Sequence, residues 1–282
     1  MPRDAETGGG AGADGKTGAV HRITLGAPRG QGAPALALHC ALAHSGAWGG
    51  LAERLGDRLA ITAPDMPGHG RSAPWTGPGP ESFHDQVTAI GAEHLEPGLT
   101  LLGHSFGATV ALRLAEDHPD KIRRMVLVEP VLFAAARARA PELFEARRAA
   151  GRPMIEAVEA DDLDRAGRVF TATWGAGRPW DEMGPRARAQ IGRQMRIVGE
   201  TQATLNEDAA GLLAPGRLET CALPVLLVRG ETTEPILAEI HAELLARLPE
   251  AREVVIPGAG HMAPITHPEE VAAEVRAFLD AT

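Results

Sequence analysis

The chain has 282 residues, 44% hydrophobic and 23% charged, a composition that suits one large folded unit with a substantial core. A formal net charge of -9 without any clustered basic stretch argues against nucleic acid as a partner, and no uninterrupted apolar run is long enough to cross a bilayer. Two cysteines, Cys40 and Cys221, make no disulfide framework, so a cytoplasmic, reducing setting with two buried thiols is expected.

Residues 1–19, MPRDAETGGGAGADGKTGA, are Gly-rich and polar and lack the apolar stretch of a signal peptide; they read as a disordered tail. Beyond them, short apolar runs bounded by turn residues predict strands at His21–Leu25, Ala35–His39, Leu59–Ala63, Thr100–Leu102, Arg124–Val128, Val225–Val228 and Glu253–Ile256. Most lack polar alternation, which implies burial on both faces and therefore a mostly parallel sheet. Helical patterns at Ala108–Glu116, Ile236–Leu248 and Glu269–Leu279 fall between or after them. The alternation predicts an α/β fold, a mostly parallel central sheet flanked by helices.

One stretch breaks the rhythm. Residues 134–215 carry helical patterns and no convincing strand, yet lie between two core strands. They read as a helical lid inserted into a core of residues 20–133 and 216–282, over the sheet end where sites form. Arginines abound there, among them Arg147, Arg148, Arg165, Arg168, Arg186, Arg193 and Arg196, interleaved with acids such as Glu145, Asp161, Asp162 and Asp164. Salt-bridged solvent faces are the expected reading, with recognition of an anionic substrate group as the alternative.

The chemistry centres on Gly103-His104-Ser105-Phe106-Gly107, a G-x-S-x-G sequence between a short apolar strand and an Ala/Leu-rich helix. A sharp strand-to-helix turn there would expose the Ser105 hydroxyl and crowd the backbone two residues either side, where only glycine fits. With this motif and three further stretches the chain resembles the α/β-hydrolase fold superfamily over nearly all of residues 20–282. Asp65-Met66-Pro67-Gly68-His69-Gly70-Arg71-Ser72 is similar to the family's D-x-P-G-H-G-x-S loop. Leu38–Leu42 stands where the family has its oxyanion loop. Gly258–Met262 resembles the G-x-G-H segment after the last strand, followed by Pro268-Glu269-Glu270 opening the final helix.

Serine needs a base that titrates near working pH, and His261 is the candidate among eleven histidines. His39 is expected to organise the oxyanion loop and His104 to point away from the site, while the resemblance gives His69 a structural role. His44, near the site mouth, is a candidate substrate contact. His118, His241 and His267 read as surface residues, and no spacing suggests a metal site.

The acid departs from the family pattern. The resemblance places an Asp about 28 residues before the histidine, and that position is Thr233. Two carboxylates remain. Glu129 ends the strand Arg124–Val128, where some relatives, notably a group of haloalkane dehalogenases, carry their acid; Glu234 adjoins Thr233. Glu129 is preferred and Glu234 is the alternative. The backbone N–H groups of Phe106 and Ala41 are the expected oxyanion donors, with Cys40 in place of the glycine usual after the loop histidine.

These readings predict a serine hydrolase that cleaves an ester-like bond (carboxylic ester, lactone or thioester) through an acyl-enzyme on Ser105. It would need no cofactor and no metal. A carbon–carbon bond hydrolase, a hydroxynitrile-lyase-like enzyme and a low-turnover ligand-binding protein are the alternatives. The substrate is expected to be a largely apolar small molecule in an aliphatic pocket, with Phe133, Trp174, Trp180 and Met262 as candidate lining. No membrane partner is expected, and both a monomer and a homo-oligomer stay open.

Overall fold

A computed structural model describes residues 18–28, 30–77 and 79–282, so all but the last two residues of the expected disordered tail lie outside the described residues. Seven strands form one sheet: β1 (Arg22–Gly26), β2 (Ala33–Leu38), β3 (Leu59–Pro64), β4 (Leu99–His104), β5 (Ile122–Val128), β6 (Val225–Gly230) and β7 (Ala251–Ile256). Their spatial order is β1-β3-β2-β4-β5-β6-β7. β1 runs antiparallel to β3 and every other pairing is parallel.

Each predicted strand is present, and the central ones are buried on both faces. Leu99, Leu101, Met125, Leu127, Val225 and Leu227 point to one face. It is covered by α2 (Phe83–Ala92), α3 (Phe106–Asp117) and α8 (Ile236–Arg247). The intervening Leu102, Val126, Val128, Leu226 and Val228 point to the other. There α1 (Gly49–Leu55) and α10 (Pro268–Ala281) cover them, with the short α9 (Ala263–Thr266) leading into α10. This two-sided burial removes the alternation that a half-exposed strand would show. The edge strands β1 and β7 do alternate, and β7 is more exposed than a continuous apolar run implies.

Between β5 and β6 stand α4 (Pro141–Glu159), α5 (Leu163–Trp174), α6 (Pro185–Glu200) and α7 (Gln202–Glu207), with no strand among them. Met154, Ala157, Ala166, Met195 and Val198 give these helices a small core of their own. Because strand carboxyl ends share one edge in a parallel sheet, the insertion after β5 emerges on the edge that carries the loops after β2, β4, β6 and β7. Among the described residues no helix is long and apolar enough to cross a membrane.

Candidate active site

A single residue, Ser105, joins β4 to α3, with φ 56° and ψ −117°. That conformation is costly for any side chain bearing a Cβ and persists only where the surroundings enforce it. Here the enforcement is close packing. A Cβ at Gly103 would lie 2.5 Å from the Ala108 Cα, and one at Gly107 would strike the Leu38 and His39 carbonyl oxygens. The Ser105 N–H donates to the Val128 carbonyl at 2.9 Å, tying the turn to β5.

His261 lies on the loop after β7. Its Nε2 is 2.9 Å from Ser105 Oγ and its Nδ1 is 3.0 Å from Glu129 Oε2. A carboxylate accepts only, so Nδ1 carries the proton and Nε2 is left to accept from the serine hydroxyl. The loop is anchored from both sides. The Thr232 hydroxyl donates to the Ala259 carbonyl at 3.0 Å. His104 Nε2–H donates to the His261 carbonyl at 2.9 Å. His104 thus points away from the serine, as expected, but onto the backbone of His261. Burial and the neighbouring His261 push the His104 pKa down to about 3, so it stays a neutral donor.

Glu129 ends β5 and is fully buried, with φ 52°. Its N–H donates to the Val228 carbonyl at 2.9 Å. Gly230 N–H donates to Oε1 and the Thr233 hydroxyl to Oε2, both at 2.6 Å. Burial alone would raise its pKa, but His261, Thr233 and the Gly230 amide together hold it below the ordinary carboxylate value. Thr233, where the family resemblance expected an acid, donates to a carboxylate that arrives from the neighbouring strand. Glu234 makes no hydrogen bond to His261; its charge is felt by Arg147 instead.

The 39–42 loop is braced by His39. Met66 N–H donates to His39 Nε2 at 3.0 Å, and Nδ1–H donates to the Cys40 carbonyl at 2.8 Å. Desolvation, with repulsion from His69, pushes this imidazole down to about 3, which suits the tautomer those two bonds require. Asp65 accepts from the Ser45 and Arg71 amides at 2.6 and 2.8 Å and from His21, so the D-x-P-G-H-G-x-S stretch is a fastened loop beside the site. Both cysteines are buried free thiols, and desolvation pushes Cys40 up to about 12, far from a reactive thiolate.

Ser105 and His261 open on a narrow cavity that Ala41, Phe106, Phe133, Trp174 and Met262 also line. Two expected contacts are absent from its wall. Trp180 packs its ring against Gly167 on α5 and donates its indole N–H to Asp164 at 3.3 Å, making it a residue of the inserted helices' own packing. His44 caps the 3₁₀ turn Ser45–Trp48, its Nδ1 accepting from Gly46 N–H at 3.0 Å. His241 also departs from expectation: it is buried and pairs with Glu253 at 2.8 Å. Nor is the wall purely aliphatic. Five of the chain's ten Phe and Trp residues line it, Phe83 and Phe170 joining Phe106, Phe133 and Trp174. Sequence reasoning missed Phe83, His69, Phe170 and Ile197 because they converge from four separate segments. Among the described residues no group of three or more His, Cys, Asp or Glu could hold a metal ion.

A serine on a strand–helix elbow, an imidazole at hydrogen-bond distance and a buried carboxylate behind it, all at the carboxyl edge of a mostly parallel sheet, define the class of α/β hydrolases. A sequence model of the alpha/beta hydrolase family matches residues 35–274, and the chain belongs to that family. It is 30% identical over 271 residues to the 2-(acetamidomethylene)succinate hydrolase of Mesorhizobium japonicum, spanning 93% of this chain and 94% of that one. It is 28% identical over 249 residues to the pimeloyl-[acyl-carrier protein] methyl ester esterase of Nitrosomonas europaea, spanning 86% and 93%. Among solved structures, a Bacillus subtilis carboxylesterase superposes with a TM-score of 0.66 at 18% identity, covering 95% of this chain and 90% of that one. A haloalkane dehalogenase from Agrobacterium tumefaciens superposes at 0.70 with 21% identity, covering 93% of each. At such identities these two structures speak for the fold alone.

Proposed function

We propose that the protein is a serine hydrolase of carboxylic ester-like bonds in small molecules. The observation that carries this reading is the unbroken relay from Ser105 Oγ through both nitrogens of His261 to Glu129 Oε2, at the wall of a mostly apolar cavity. His261 takes the hydroxyl proton as Ser105 Oγ attacks the carbonyl, and Glu129 stabilises the imidazolium that forms. The Phe106 and Ala41 N–H groups receive the oxyanion. His261 then protonates the leaving group, and a water activated by the same imidazole releases the acyl group from Ser105. The inserted helices act as a lid that covers this end of the sheet. A relative acting on a methyl ester supports the ester reading.

The test is a panel of short- and medium-chain esters, lactones and thioesters, with Ser105→Ala as blank, together with fluorophosphonate labelling. The reading expects turnover of at least one ester, a product burst with an activated ester, and label on Ser105. Labelling without any burst or turnover would point to the lyase or ligand-binding alternatives.

A further inference from the structure

The arginines of the inserted helices differ in their surroundings; Arg165, Arg186, Arg188 and Arg193 make no ion pair among the described residues and do not line the cavity. Arg148, Arg152, Arg168 and Arg196 pair with Glu145, Glu156, Asp181 and Asp161 on exposed faces, as expected of solvated charges. Arg147 makes no ion pair among the described residues and turns inward to the cavity wall. Its guanidinium carbon lies 4.8 Å from the centre of the Phe133 ring and 5.0 Å from that of Trp174. Its Nε is buried without a hydrogen-bond partner. A Cβ at Gly151, one turn further along α4, would come within 2.7 Å of Arg147 Nη1, so a glycine that is otherwise unfavourable inside a helix leaves room for the guanidinium. Burial depresses the basicity of this arginine, and only the field of Glu234 opposes the effect.

A half-buried cation with a buried, unpartnered Nε is a cost unless something binds it. The other polar side chains on this stretch of wall are already engaged: Thr201 and Gln202 both donate to the Val198 carbonyl. Trp174 connects Arg147 to the relay, its ring centre 4.7 Å from that of His261 and edge-on to it. Arg147 and Gln202 also face a wider, open depression bordered by Arg148 and Arg152 and by Glu145 and Glu207, so the guanidinium is reachable from outside the cavity.

We infer that Arg147 binds the carboxylate of the substrate, so that the preferred substrate is an acid carrying a second, hydrolysable acyl group a few bonds away. One planar guanidinium flanked by two rings matches one carboxylate in charge and shape, whereas a dianionic phosphate would leave a charge unpaired among apolar side chains. The inference rests on the Ser105 reading for the reaction, but not for the binding.

Two esters of equal chain length separate the possibilities: monomethyl adipate, anionic at pH 7.5, and methyl hexanoate, neutral. Methanol release is measured for both. The native enzyme should favour the charged ester in kcat/KM. Arg147→Gln should reduce the ratio of the two kcat/KM values by about 10- to 100-fold, the range of one charge-assisted hydrogen bond, chiefly through KM. Arg147→Lys should retain part of the preference. Equal losses on both esters in both variants, or no preference in the native enzyme, would overturn the assignment. Monomethyl adipate binding to Ser105→Ala protein by calorimetry reads the site without chemistry. Monomethyl adipate that binds, and is lost when Arg147→Gln is added, upholds the carboxylate site even if no ester is turned over, in which case only the reaction reading fails. Monomethyl adipate that binds Ser105→Ala equally well with and without Arg147, or not at all, refutes the site.

Discussion

Ser105 and Glu129 stand at the ends of β4 and β5, each on a backbone with positive φ and each tied by its own N–H to the neighbouring strand. Arg147 and Trp174 stand on α4 and α5, in an insertion held by side-chain packing. The first pair is fixed by covalent strands and ladder hydrogen bonds whose partners are far away in sequence. The second is fixed by interdigitating side chains that can be repacked. In the proposed function the sheet edge therefore holds the reacting atoms, and the insertion decides which molecule reaches them.

The largest expected effect comes from the sheet edge. Ser105→Ala should lower kcat by about 10⁴-fold or more in ester turnover assays while the fold persists. Glu129→Gln should lower kcat by about 10³- to 10⁴-fold, since an amide can hold the wrong imidazole tautomer. Glu234→Gln should leave kcat within about twofold, being a change at a half-buried residue outside the relay. Combining Glu129→Ala with Thr233→Asp would move the carboxylate to the position usual in the family. Partial recovery over Glu129→Ala alone would show that the histidine needs a charge behind it and tolerates either strand as its source.

Acid should act on the same half of the molecule. Burial holds His39 and His104 at about 3, and His69 and His84 at about 4, whereas each titrates near 6.5 in the unfolded chain. Below pH 6.5 the unfolded chain takes up protons that the folded one refuses. Stability is therefore full above pH 6.5 and falls towards pH 4, by up to about 1.4 kcal/mol per pH unit for each group. Residues 134–215 contain no histidine, so thermal melts at pH 7 and 5, with hydrogen exchange, should place the early opening in the sheet half. A melting temperature unchanged over that range would contradict this account.

Smaller effects sharpen the comparison further. His104→Phe removes the donor that holds the His261 carbonyl, and should cost about tenfold in kcat, as expected for losing one buried hydrogen bond. A positioning role also requires a shifted pH–rate profile. Trp180→Phe removes the indole contact with Asp164 and part of the ring packed against Gly167, and should lower the melting temperature by about 2 to 6 °C, with kcat unchanged.

Much of the fold was legible because two-sided burial leaves uninterrupted apolar runs. The five inner strands and the helix after Ser105 follow from that pattern and from Gly103 and Gly107, and the two edge strands from the turn residues that bound them. Ser105, His261 and Glu129 were also legible as candidates, because each ends a strand or follows one. The contents of the cavity wall were less so. Trp180 and Trp174 lie six residues apart with similar surroundings in sequence, yet only Trp174 reaches the cavity. His44 lies near the oxyanion loop but is used as a cap. Arg147 and Arg148 are adjacent, and one turns inward while the other meets Glu145 in solvent.

The sequence by itself determined the α/β architecture and the serine and histidine of the relay, because periodicity and strand-end position are properties of the local chain. Which carboxylate stands behind His261, and which arginine turns to the cavity wall, were decided only by tertiary structure. Both depend on contacts between segments far apart in the chain: Glu129 meets Thr233 and His261 across three strands, and Arg147 meets Phe133 and Trp174 across the helical insertion.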